Sequence, residues 1–154
     1  MNEAAENEKK FANIHQETHE KVVKATPGNY LFNMQEMDQF MIGPHYSSSV
    51  GSAVRGEKLQ VVLVNKPRGT GSRLHTHANE QFNYVIKGKL KYRVRDEEGV
   101  AEAGQVIHIP AGAEHYCVTT GDEDCLYFAS KDTTYFVAGD AVDGTRSGAY
   151  YEED

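Results

Sequence analysis

The sequence predicts a single, mostly β domain, and three observations carry that expectation. Residues 58–65, K-L-Q-V-V-L-V-N, are apolar and β-branched without a breaker, as expected of a buried strand. Residues 88–95, G-K-L-K-Y-R-V-R, alternate with period two. Leu90, Tyr92 and Val94 fall on one face, and Lys89, Lys91, Arg93 and Arg95 on the other. Between such runs the chain turns at glycine, proline and acidic clusters: Pro27-Gly28, Gly43-Pro44 and residues 96–99, D-E-E-G.

At 154 residues the chain is the size of one domain, large enough to bury about 70% of its unfolded surface. The net charge of −7 argues against nucleic acid or an anionic membrane as a partner. No apolar run approaches the roughly 20 residues that span a bilayer. The N-terminus is polar and acidic rather than signal-like, so a cytoplasmic location is expected. Two cysteines, Cys117 and Cys125, flank V-T-T-G-D-E-D. That stretch reads as a hairpin turn across which they would face each other, reduced in the cytosol. Cys117 reads as a small core residue. A redox-sensitive thiol facing the site is its functional alternative.

In chain order, residues 2–24 are rich in helix formers, with a thin apolar stripe of Phe11, Ile14, Val22 and Val23. This predicts a helical or flexible arm over residues 1–27. His15 and His19 stand four apart in H-Q-E-T-H and read as a solvated helix face rather than a metal pair. Residues 30–32 and 39–42 are expected as short edge strands, and 45–49, H-Y-S-S-S, as a polar loop. The barrel proper is expected over 28–137, with 126–129 as a further strand and 135–137 closing the sheet. Residues 138–154, rich in glycine and acids, are expected as a loose strap or tail.

The chemistry concentrates in two stretches. In residues 69–88, G-T-G-S-R-L-H-T-H-A-N-E-Q-F-N-Y-V-I-K-G, His75 and His77 stand at i, i+2, which on a strand aims both imidazoles at one point. In residues 104–119, G-Q-V-I-H-I-P-A-G-A-E-H-Y-C-V-T, a Pro110–Gly112 turn precedes His115, which can fold back beside them. The same alternation places Arg73 and Asn83 on the ligand side, and Tyr92 and Cys117 facing inward.

Both stretches resemble the two sequence motifs of the cupin superfamily. Gly69, His75, His77, Gln81 and Gly88 fit the first motif at every spacing, and Gly104, Pro110, Gly112 and His115 fit the second. Thr119 stands where the family usually has Asn, and Gln81 where it most often has Glu. Glu80 is the nearby acid, one position early. The resemblance covers about a third of the chain. It implies an all-β, double-stranded β-helix (jelly-roll) barrel around one divalent transition metal ion (Zn, Fe, Ni or Mn) held by His75, His77, Gln81 and His115. It also implies a homodimer.

A ligand set without a carboxylate leaves a divalent ion uncompensated and favours an anionic ligand in the open position. The expected function is Lewis-acid chemistry on an enolisable carbonyl or hydroxylated small molecule, as an isomerase, cyclase or lyase. An iron-dependent dioxygenase and a non-catalytic metabolite-binding cupin are the alternatives. Arg73, Asn83, Tyr92 and Cys117 are the candidate pocket residues, and Glu80 the candidate acid–base.

Overall fold

A computed structural model describes residues 15–144 and 148–152. The arm's first residues, with Phe11 and Ile14 of its apolar stripe, lie outside the described residues. Residues 15–21 are helical. Fourteen strands follow: β1 Val23–Lys24, β2 Phe40–Met41, β3 Val50–Arg55, β4 Leu59–Lys66, β5 Thr70–Gly71, β6 His75–Thr76, β7 Gln81–Lys87, β8 Lys89–Val94, β9 Glu97–Glu102, β10 Val106–Ile109, β11 His115–Thr120, β12 Cys125–Asp132, β13 Asp140–Ala141 and β14 Tyr150–Tyr151.

They form two sheets of seven strands. One runs β1-β3-β4-β12-β7-β10 with β2 on β3, and the other β13-β6-β11-β5-β14 with β8 on β11 and β9 on β8. The architecture is the expected all-β jelly-roll barrel. No helix among the described residues is long and apolar enough to cross a membrane.

The inward faces follow the period of two. In β4, Gln60, Val62, Val64 and Lys66 are buried, and in β12, Cys125, Tyr127, Ala129 and Lys131. The apolar core joins Val62, Val64, Val85, Leu90, Ile107, Ile109 and Tyr127. Burying each such aliphatic side chain contributes about 1.5–3 kcal/mol.

Several sequence expectations are revised. β3 was not expected, because V-G-S-A-V-R has little apolar or aromatic signal. Its Gly51 is required by close approach: a Cβ there would lie 2.0 Å from the Leu63 carbonyl oxygen. Residues 30–32 form no strand. Tyr30 and Leu31 are 85% and 90% exposed, so local β propensity there has no sheet to join. The turn between β8 and β9 is only Arg95-Asp96, with Arg95 at φ 53°, and β9 uses the acidic residues expected in the turn. Residues 135–137 are not a strand either.

Cys117 and Cys125 do not face each other across a hairpin, because β11 pairs with β8 in one sheet and β12 with β4 and β7 in the other. Both are buried free thiols. Past residue 138, β13 pairs with β6 and β14 with β5.

Candidate metal centre

The two motifs meet through backbone before they meet through side chains. β6 and β11 pair antiparallel with His115 opposite His75. The Gly112 amide donates to the His77 carbonyl at 2.8 Å. Gly112 holds φ 74° in the turn after Pro110, a conformation that suits glycine. This turn therefore both reverses the chain and hangs it on the first motif.

The imidazoles converge. Ring centroids lie 4.1 Å apart for His75–His115, 4.7 Å for His77–His115 and 6.1 Å for His75–His77. One ligating atom from each lies within 4.8 Å of the others. Each ring is oriented by a carbonyl two residues away. His75 Nδ1 sits 2.8 Å from Arg73 O, His77 Nδ1 2.8 Å from Asn79 O, and His115 Nδ1 2.8 Å from Ala113 O. With Nδ1–H donating, each Nε2 lone pair is left as the ligand atom. His77 Nε2 is buried and makes no hydrogen bond, a vacant acceptor that a divalent ion would satisfy.

All three rings are held neutral, the form a metal needs. Burial pushes His77 down to about 3, helped by the charges of Lys131 and His115. Burial likewise takes His115 down to about 4 and holds His75 well below the ordinary histidine range.

Gln81 and Asn83 line the same cavity as His75 and His115. Gln81 Nε2 donates to Asn83 Oδ1 at 2.6 Å, which fixes the amide and leaves its carbonyl oxygen as the candidate donor to an ion. Asn79, fully buried, ties its side chain to the carbonyls of Asp132 and Phe136 at 3.1 Å each. It thereby fixes the loop whose carbonyl orients His77.

The remaining predicted residues separate into two groups. Cys117 is buried and lines the cavity, its thiol pushed up by burial. Arg73 is exposed and donates to Gly148 O at 3.0 Å outside the cavity. Tyr92 packs at the edge of the core, its hydroxyl over Gly99. Glu80 lies on the surface with Oε2 2.8 Å from His108 Nε2, and it is not among the cavity-lining residues.

The sequence reading missed two lysines. Lys66 and Lys131 are 1% and 7% exposed and line the cavity with the histidines. Lys66 Nζ donates to Cys117 O at 3.3 Å, and Lys131 Nζ to Val137 O. Among the described residues neither ammonium forms an ion pair. Burial, with the charge of Lys66, lowers Lys131 to about 7, and burial lowers Lys66 as well. The signal was available: carrying the alternation of β4 and β12 one step further turns both lysines inward.

Tyr46, in the expected polar loop, is 4% exposed and stacks on His75 at 4.1 Å. With Ser47 and Ser49 it lines the cavity.

Comparison with known proteins agrees with this picture. No curated protein matches the chain in sequence. The fold is shared with KdgF from Halomonas sp., at 22% identity over 70% of this chain and 96% of that one, with a TM-score of 0.60. It is shared with an RmlC-like cupin from Shewanella frigidimarina, at 18% over 68% and 91%, with a TM-score of 0.56. The DMSP lyase DddQ from Ruegeria pomeroyi matches at 17% over 60% and 47%, with a TM-score of 0.53. A family model described as a cupin domain matches residues 62–130, which hold both histidine motifs and Lys66, and this stretch of the chain is a cupin domain.

Proposed function

We propose that this protein is a metal-dependent enzyme acting on a small, anionic, enolisable carbonyl or hydroxylated compound, by isomerisation, cyclisation or elimination. The observation that carries this reading is the charge of the cavity. Two neutral imidazoles, those of His75 and His115, line it with the Gln81 amide and two lysines, and no carboxylate is among the lining residues. A divalent ion held by His75, His77, His115 and Gln81 would supply Lewis acidity toward a substrate oxygen.

The chain's own part is recognition and exclusion of water. Lys66 and Lys131 present amino groups that an anionic substituent would hold protonated, since a buried charge is costly until it is paired. Val62, Val64, Ile109 and Ala129 supply the apolar wall. One structural neighbour is a DMSP lyase, which supports elimination as one of the reactions proposed.

The test is solvent-deuterium exchange at the carbon beside the carbonyl of simple 2-oxo and 3-oxo carboxylates, followed by NMR with metal-loaded protein. Exchange lost in His115→Ala and in Lys131→Met is expected. No exchange with any of them, together with O₂ consumption by iron-loaded protein, would replace this reading with a dioxygenase. Binding of these acids without any reaction would leave a metabolite-binding cupin.

The protein also acts as a homodimer and in the cytoplasm under this proposal. The net charge supports a partner that is neither nucleic acid nor membrane. The outward face of β7 and β10 supports self-association, with Phe82, Tyr84, Ile86 and Val106 each more than 40% exposed. Sedimentation of wild type and Tyr84→Glu checks this, with a shift from dimer to monomer expected in the variant.

A further inference from the structure

The sequence reads His15 as part of a solvated helix face, and the structure overturns that. His15 is 3% exposed, with Nε2 2.8 Å from Asp140 Oδ1 and its ring stacked on Phe136 at 4.8 Å. His45, 5% exposed, packs edge-on against it with centroids 5.8 Å apart. One ligating atom from each of His15, His45 and Asp140 lies within 4.8 Å of the others. We propose that His15, His45 and Asp140 form a second site for a divalent transition metal ion, a structural one separate from the His75, His77 and His115 centre.

Four observations support it. Two nitrogen ligands and one carboxylate are a usual donor set for zinc and its neighbours, with water completing four-coordination. Donor atoms around a tetrahedral ion at about 2.0–2.1 Å sit roughly 3.3 Å apart, so small side-chain rotations close the set. The outer contacts resemble those of metal ligands: His45 Nε2 lies 3.1 Å from Gly139 O, and Asp140 Oδ2 accepts from Tyr135 Oη at 2.7 Å. Finally, the Asp140 side chain is 39% exposed, which gives an ion a way in and water a place to bind.

An ion here would join three remote segments: the helical residues 15–21, the loop before β3, and β13. The last two reach the first centre. β13 pairs with β6 through Ala141 and His75. The Gly139 amide donates to Tyr46 Oη at 2.7 Å, and Tyr46 stacks on His75. The second ion would therefore brace the wall behind His75 without touching a substrate.

The test is metal stoichiometry, with Zn²⁺ and Co²⁺ as probes, by calorimetry and by elemental analysis after desalting. Wild type should bind two equivalents. A His75→Ala/His115→Ala protein, with the second site untouched, should retain one. Asp140→Asn, close in shape to the native side chain, and His15→Ala should each lose one equivalent while the first centre stays filled. Circular dichroism checks folding in every variant. One equivalent in wild type, none in the His75→Ala/His115→Ala protein, or two in folded Asp140→Asn would overturn the proposal.

Discussion

The two histidine clusters of this protein are built in opposite ways. In the first, His75, His77 and His115 are each oriented by a carbonyl two residues away in their own segment. The rings need only a strand, a turn and one register to converge. In the second, the contacts span long stretches of chain. His15 meets Asp140 across 125 residues, and His45 meets Gly139 across 94. A site assembled from local geometry survives loss of its surroundings better than one whose parts meet only when the whole fold has closed.

The largest expected effects lie in the first cluster. His115→Ala or His75→Ala should weaken metal binding by more than about 100-fold, since loss of an outer contact alone typically costs 10–100-fold. Gln81→Ala should cost less than either, because an amide oxygen is the weakest donor of the set. Metal titration of the three variants checks the order. An equal loss in all of them would make Gln81 a full partner.

This half of the comparison is also the half that was legible in sequence. His-x-His at period two, the Pro110–Gly112 turn and the spacing to Gln81 are local signals. The alternation of β7 put Gln81 and Asn83 on the inner face and Phe82 and Tyr84 on the outer one, as observed. The second cluster carried no such signal. His15 looked solvated because the partner that buries it, Asp140, lies far along the chain. Lys66 and Lys131 fell between these cases. Their inward direction followed from alternation, yet lysine is so seldom buried that composition argued the other way. Arg73 shows the limit of alternation, since the strand breaks before β6 and its side chain turns out to Gly148.

Lys131→Met comes next in size. Removing a buried cation with no carboxylate partner should leave stability unchanged or raised, while affinity for a carboxylate ligand falls about tenfold. Thermal melts beside calorimetry with malonate separate the two effects. A large stability loss would mean that the hydrogen bond to Val137 O, rather than charge, is the role of Lys131.

The metal-free protein should also be acid-sensitive. The folded pKa values of His77 and His115, at about 3 and 4, lie below the ordinary value of 6.5. Between those limits the unfolded chain binds more protons than the folded one, so stability rises with pH. It should be at its full value above about 6.5 and decline as pH falls toward 4. Melts from pH 8 to 4 check this. A bound ion should add stability at neutral pH and be released as protons compete for the rings.

The smallest effect is expected from His15→Ala in the metal-free protein. It removes one hydrogen bond to a half-exposed carboxylate and a ring stack, costing roughly 1–2 kcal/mol. A loss several times larger would show that the remote cluster braces the barrel even without an ion.

The most direct test of the central claim is the metal content of protein purified without added metal or chelator, measured beside His75→Ala. The account predicts a transition metal in the wild-type protein and one equivalent less in the folded variant. Equal metal content in the two proteins, or none taken up by either on reconstitution, would contradict a metal centre at His75, His77 and His115.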